Sequence, residues 1–319
     1  MKKLFKALLA LSILLTLVGC GESDEQLVDP INHVGIVQLL RHDALDAAAK
    51  GFEDVLYEQF SNIDIEFQDA GGDSANCSII ANGFVTEGKD LILAVATPAL
   101  QAAYAATGDI PILGTAITEY GVALGIDNFN GLTGNNVSGT SDLAPLEDQA
   151  QMILDLIPSA KTVGIIYCSS EANSIYQVEV VTKYLESKGI KVIAKSFVDS
   201  NDVSQVAEDL CLSCDALYVP TDNQAVQCAS DIDTKASAYS IPVICGEEGA
   251  CKECGVATLT IDYYQLGRVT GEMAAKILKG ETKVEEMKIE YYPNPVKKFN
   301  KKIADSLGIE IPEDYIAIE

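Results

Sequence analysis

Tryptophan is absent from the 319 residues, histidine occurs twice, and 22 lysines and arginines face 47 aspartates and glutamates. Each shortage removes a class of function. A formal charge of -25 repels phosphate backbones and leaves no basic stripe to follow one, so no nucleic-acid partner is expected. His33 and His42 are too few for a poly-histidine metal centre, and the missing indole removes the strongest ring for stacking a sugar or caging a cation. No stretch beyond the first 20 residues holds the roughly 18 consecutive apolar residues of a spanning helix. Phosphate-loop, nucleophile-elbow, H-E-x-x-H and G-x-G-x-x-G patterns are also missing. Without a paired nucleophile and base the chain reads as a binder rather than an enzyme, with no cofactor and no metal. What remains is ordinary globular composition, 48% hydrophobic and 22% charged, in a length that suits one large or two medium domains.

The first residues are an address. Lys2, Lys3 and Lys6 form a basic head, residues 4–18 are almost wholly apolar, and Leu17-Val18-Gly19-Cys20 follows. That last run resembles a bacterial lipobox, which predicts a signal peptide over 1–19 and a diacylglycerol thioether on Cys20; an ordinary signal peptide or uncleaved anchor is the other reading. Residues 20–31 then form a polar, acidic tether, with the membrane reached only through the lipid.

From residue 32 short apolar runs alternate with amphipathic segments of helical length, which is the pattern of βαβ units. Strands are expected at 33–39, 63–68, 91–96, 112–116, 162–167, 191–196, 216–219, 243–245 and 257–261. In 43–59 the apolar positions Leu45, Ala48, Ala49, Phe52, Val55 and Leu56 share one helical face, and 174–188 repeats this with Ile175, Val178, Val181, Tyr184 and Leu185. The pattern runs twice, and each half reaches a strand ending in a threonine turn, Val95-Ala96-Thr97-Pro98 and Tyr218-Val219-Pro220-Thr221. The fold class is therefore α/β, with two Rossmann-like lobes built on parallel sheets. A Gly/Asn-rich crossover at 131–140, a second near 262–265 and a third near 293–295 divide the chain. Lobe one takes 32–137 plus about 264–292, and lobe two takes 138–263 plus about 293–319. Helix 264–278 is expected to pack back on lobe one; two independent domains on one linker is the other arrangement.

Polar clusters follow the strand ends, where open α/β sheets bind ligands. They include Arg41-His42-Asp43, Ala96-Thr97-Pro98, Ala116-Ile117-Thr118-Glu119, Ser169 to Ser174, Thr221-Asp222-Asn223 and Gly246-Glu247-Glu248. Hydroxyls and helix N-terminal amides suit a carboxylate, while Asp or Glu suits an ammonium, which together point to an amino acid. Through these clusters, and through Gly139-Thr140-Ser141-Asp142 and Ile261-Asp262-Tyr263-Tyr264, the sequence resembles the ABC-transporter substrate-binding lipoproteins that include tryptophan- and tyrosine-binding proteins. The resemblance covers nearly the whole mature chain. It implies the type I periplasmic-binding-protein fold, a three-segment hinge, and closure on an amino acid, with tyrosine, phenylalanine or tryptophan preferred. It also implies delivery to an ABC permease driven by its ATPase, from a lipid-anchored monomer outside a Gram-positive type of cell membrane. A surface adhesin or sensor subunit on the same fold is the alternative.

Carried over position by position, Thr97 and Thr118 match residues that hold the ligand's carboxylate, with the Ala116 backbone beside them; a turn or helix cap is the plainer role for each threonine. Glu171, Asn173 and Ser174 open the first helix of lobe two, where free amides and side chains reach the same ligand. Asp222 is the first candidate for the ammonium partner and Glu247 the second, with Asn223 alongside; capping and solvated-loop roles compete. His42 either touches the ligand or caps a helix. Arg41 and Asp43 depart from the acidic residue and the proline usual beside this histidine. Apart from Cys20 there are eight cysteines, seven of them in lobe two. Local disulfides at Cys211/Cys214 and Cys251/Cys254, free thiols, or zinc at the two C-x-x-C pairs all remain open.

Overall fold

The computed structural model describes residues 31–318, so the signal segment, Cys20 and all of the tether except Ile31 lie outside the described residues. Thirteen strands are assigned: β1 (Asn32–Gln38), β2 (Ile63–Asp69), β3 (Leu91–Val95), β4 (Ile112–Ile117), β5 (Val137–Ser141), β6 (Thr162–Cys168), β7 (Lys191–Phe197), β8 (Ala216–Val219), β9 (Val243–Cys245), β10 (Ala257–Thr260), β11 (Glu290–Tyr291), β12 (Val296–Phe299) and β13 (Ile316–Ala317). They form two sheets, ordered β11-β5-β4-β3-β1-β2 and β13-β12-β10-β9-β8-β6-β7. The central strands are buried along their whole length because helices cover both faces, as parallel sheets require.

All nine expected strands form, but two details differ from the sequence reading. The crossover is expected at 131–140, with lobe two starting at 138; instead β5 pairs in parallel with β4 in the first sheet, and the chain passes to the second sheet only after Ser141. The run reads as a loop because Ser138, Thr140 and Ser141 are polar. Inside the fold their hydroxyls find partners: Ser138 donates to the Met287 carbonyl, Ser141 to the Thr118 carbonyl, and Thr140 Oγ1 lies 2.8 Å from Thr270 Oγ1. The second sheet is also not wholly parallel, since β12 returns antiparallel to β10 after the last crossover.

Lobe one is sealed by two helices, Asp43–Gln59 and Tyr263–Leu278. The first buries Leu45, Ala48, Ala49, Phe52, Val55 and Leu56, the face its sequence spacing marks out. The second lies back on lobe one, adding Leu266, Met273, Ala274 and Ala275 to its core. Their backbones nearly touch at two glycines: a Cβ on Gly267 would sit 1.9 Å from the Ala48 carbonyl oxygen, and one on Gly51 would sit 2.1 Å from that of Tyr264. In lobe two the core divides into two clusters, one around Val163, Ile165 and Tyr218 and another around Ile166, Leu217 and Cys245.

The eight described cysteines are all buried and free, with no disulfide among the described residues. Nor do the described residues contain a group of three or more His, Cys, Asp or Glu placed to hold a metal ion. Cys254 has Cys245 as a neighbour, at 4.0 Å between sulfurs. Burial pushes the Cys77, Cys211 and Cys214 thiols up to about 11, so the reactive thiolate is scarce at neutral pH. In an aromatic-disulfide thiol assay, these eight should be silent in the native protein and all react in strong denaturant. Rapid reaction of several without denaturant would contradict the buried placement.

Candidate ligand-binding cleft

The ends of β1, β3, β4 and β5 in the first sheet face the loops after β6, β8 and β9 in the second. The lobes are in contact. His42 Nε2 lies 3.3 Å from Asn223 Oδ1, and Gln224 Nε2 donates to the Gly72 carbonyl at 3.1 Å. Both bonds bridge the lobes, so the cleft is closed.

On the lobe-one side Thr97 opens helix Thr97–Ala106 directly after Ala96, whose φ of 81° is strained for a residue with a Cβ. Ala116 is similarly left-handed, at φ 55°, at the irregularity near the end of β4, two residues before Thr118. Thr97 and Thr118 are both buried. Glu119 caps the following short helix by accepting from the Val122 amide, so it belongs to the scaffold. His42 stands between Arg41 and Asp43 at the start of helix Asp43–Gln59 without capping it. Its Nδ1 is buried with no partner. Arg41 turns away from the cleft, pairing with Asp46 at 2.9 Å and covering the Phe67 ring.

Lobe two supplies a densely bonded acidic group. Asp222 is wholly buried, its Oδ2 accepting from the Cys168 amide at 2.6 Å and its Oδ1 from the Ala225 amide at 2.8 Å. Glu171 accepts from the Asn223 and Gln224 amides at 3.2 and 2.9 Å and from the side chains of Asn223 and Asn173 at 2.6 and 3.2 Å. The two acids cap one short helix, Asn223–Gln227. Burial, then the charge of Asp222, pushes the Glu171 carboxyl well above the usual carboxylate range. Ser174 bonds to Asp222 and is likewise enclosed. Asn173 donates to the Thr221 carbonyl at 3.0 Å, while its Oδ1 is buried without a partner. Glu247 caps helix Glu248–Cys254 by accepting from the Gly249 and Ala250 amides.

This arrangement gives Asp222, expected as the ammonium partner, a second role. Both of its oxygens accept from backbone amides of its own lobe and the residue is wholly buried, so the role the geometry displays for it is that of a structural anchor. Glu171 and Glu247 likewise accept from amides of lobe two, although Glu247 also lines a cavity. His42, Thr97, Ala116, Thr118, Asn173 and Asn223 are brought to the facing strand ends.

One acid escaped the sequence reading as a site residue. Asp142 follows β5, is 5% exposed, and accepts from the Tyr263 hydroxyl at 3.1 Å through Oδ2, while Oδ1 is buried with no partner. Burial raises its carboxyl to about 6, opposed by the Thr118 and Tyr263 hydroxyls, and Glu247 adds to the rise. His42 in turn acts on Glu247 in the opposite sense. Glu247 of lobe two therefore lies within electrostatic reach of both Asp142 and His42 of lobe one. The available signal was the acid directly after the Gly139-Thr140-Ser141 run, but with 137–141 read as a loop nothing marked it as a strand-end residue. Beside the crossovers a cavity of about 540 Å³ opens between the lobes, lined by Asp43, Glu247, Glu248, Asp262 and the rings of Tyr263, Tyr264 and Tyr292.

Two α/β lobes joined by three chain crossings, closed over buried polar atoms that lack partners, define a solute-binding protein. Residues 33–318 match the profile of the ABC transporter substrate binding protein family, and the chain belongs to that family. It is 38% identical over 279 residues to a tyrosine-binding protein of Clostridioides difficile (strain R20291), covering 83% of this chain and 81% of that one. The fold is that of a type I periplasmic binding protein. An ABC domain from Streptococcus pneumonia, solved in complex with L-Trp, superposes with a TM-score of 0.84 at 31% identity, over 89% of this chain and 97% of that one. A Clostridium difficile substrate binding protein with adhesive properties, solved in a ligand-free, open form, reaches 0.69 at 39% identity, over 90% and 99%. The more identical chain, solved open, superposes less well, and the lobes here are bridged at His42 and Gln224.

Proposed function

We propose that the protein captures a free aromatic amino acid, tyrosine, phenylalanine or tryptophan, between its lobes and presents it to an ABC permease served by a separate ATPase. The observation that carries this reading is the set of unpartnered buried atoms at the facing strand ends: His42 Nδ1, Asp142 Oδ1 and Asn173 Oδ1. Native interiors leave few polar atoms unsatisfied, so a group of them in a closed cleft is suited to receive a polar ligand. Thr97, Thr118 and the backbone at Ala116 are assigned to its carboxylate. Asn173, Asn223 and His42 complete the enclosure. Preference for an aromatic side chain is supported by relatives described as tyrosine-binding and as an L-Trp complex. The protein acts by binding, without catalysis, from a lipid anchor at Cys20 on the outer face of the cell membrane.

A thermal-shift screen against the twenty amino acids, dipeptides and common sugars tests this. At 100 times its dissociation constant a ligand stabilises by about 2.7 kcal/mol, which in a chain of this size raises the melting temperature by about 5 °C. A shift confined to aromatic amino acids is the expected outcome; a shift with sugars alone would reject the reading. One relative is described as having adhesive properties, which keeps surface adhesion as a second role. Attachment of ligand-free protein to host cells, undiminished by saturating amino acid, would favour adhesion over transport.

A further inference from the structure

We propose that Asp142 is the carboxylate that receives the ligand's amino group, and that its position at the first crossover makes closure of the lobes depend on that positive charge. The inference rests on the amino-acid reading above and supplies the residue that reading lacks.

Four acids are buried at the cleft: Asp142, Glu171, Asp222 and Glu247. Three are committed to lobe two. Asp222 accepts from two backbone amides, Glu171 from two amides and two side-chain amides, and Glu247 from two amides. Asp142 differs. The side chains that bond to it are neutral hydroxyls, those of Tyr263 and Thr118, and its Oδ1 is buried without a hydrogen-bond partner. No lysine or arginine bonds to it among the described residues.

The position fits the chemistry. The Asp142 amide donates to the Ile117 carbonyl at 3.1 Å, and Ser141 donates to the Thr118 carbonyl at 2.9 Å, so the acid is fastened beside the turn assigned to the ligand's carboxylate. An α-amino acid carries both charges on one carbon, so the residues that receive them must be neighbours. Thr118 and Asp142 are neighbours.

The energetics extend to the closing motion. Asp142 lies where the chain leaves the first sheet, and Tyr263 opens the helix by which it returns. Shutting a carboxylate away from water without a counter-charge opposes closure, and an ammonium at the free oxygen removes that opposition. A ligand with the same ring and carboxylate but no amine leaves the penalty in place.

Calorimetry with L-tyrosine, L-phenylalanine and L-tryptophan and their des-amino counterparts tests this on the wild type and on Asp142→Asn, which keeps the shape and removes the charge. In the wild type the amino acid should bind at least about 100-fold tighter than its des-amino counterpart. In Asp142→Asn the amino acid should lose about 100-fold, while affinity for the des-amino acid stays within about threefold. Equal affinity of the wild type for both ligands would overturn the proposal, and so would equal losses for both in the variant. The wild-type comparison stands even if the variant fails to fold. If no amino acid binds the wild type at all, the amino-acid reading fails first, and a shift with another ligand class in the thermal screen would identify that failure.

Discussion

Replacing Gly267 with valine should cost the protein about 4 kcal/mol and lower its urea midpoint sharply, although the residue is remote from any ligand. A hydrogen is all that fits there, since even the first carbon of a side chain would lie 1.9 Å from the Ala48 carbonyl oxygen. That oxygen belongs to a helix backbone and cannot rotate aside, so the two helices must separate. Thr270, three residues further on, would then lose its 2.8 Å contact with Thr140 inside lobe one. Serine at Gly83, where a Cβ meets nothing within 4 Å, is the control and should cost no more than about 1 kcal/mol. Equal midpoints for Gly267→Val and the wild type in urea unfolding would show that the two helices are not held as described.

The second large effect is expected at Asp222, and it concerns stability rather than affinity. Asp222→Ala removes the cap of helix Asn223–Gln227 and strands the buried Cys168 amide, for a combined loss of about 3 kcal/mol. It also relieves Glu171, whose carboxyl is pushed up partly by its neighbour's charge. Affinity for an amino acid should stay within about fivefold, because neither Asp222 oxygen is free to meet a ligand. Urea unfolding and calorimetry on the same sample separate the two quantities. A loss of 100-fold in affinity with unchanged unfolding would return Asp222 to the role its sequence context suggests.

That context explains how the sequence could point to these turns without separating a capping acid from one that faces a ligand. Strand ends were legible because short apolar runs, buried along most of their length in seven of the nine strands and only partly in β2 and β7 at the sheet edges, stand out against amphipathic helices. The turns after them were legible for the same reason, and so His42, Thr97, Thr118 and Asn173 came with them. Beyond that the pattern ran out. An Asp before a short helix looks the same whether it caps that helix or reaches across a cleft; only the amides of Cys168 and Ala225 on its two oxygens decide the matter. Asp142 was hidden by the reverse effect. Its strand, Val137–Ser141, carries hydroxyls and a glycine where a buried strand ordinarily carries branched apolar residues, and its partners Thr270 and Met287 lie far along the chain. No local window contains that information.

The helix that seals lobe one has a consequence for the order in which the protein can be made. A ribosome completes β1 through β5 by residue 141, yet the face of that sheet beside helix Asp43–Gln59 has no second cover until Leu278 has emerged, and its outermost strand waits for Tyr291. Nearly the whole of lobe two is synthesised in between. The first lobe to begin is thus unable to finish before the second has all of its central strands, and an interrupted chain of 250 residues leaves lobe one with an uncovered apolar face.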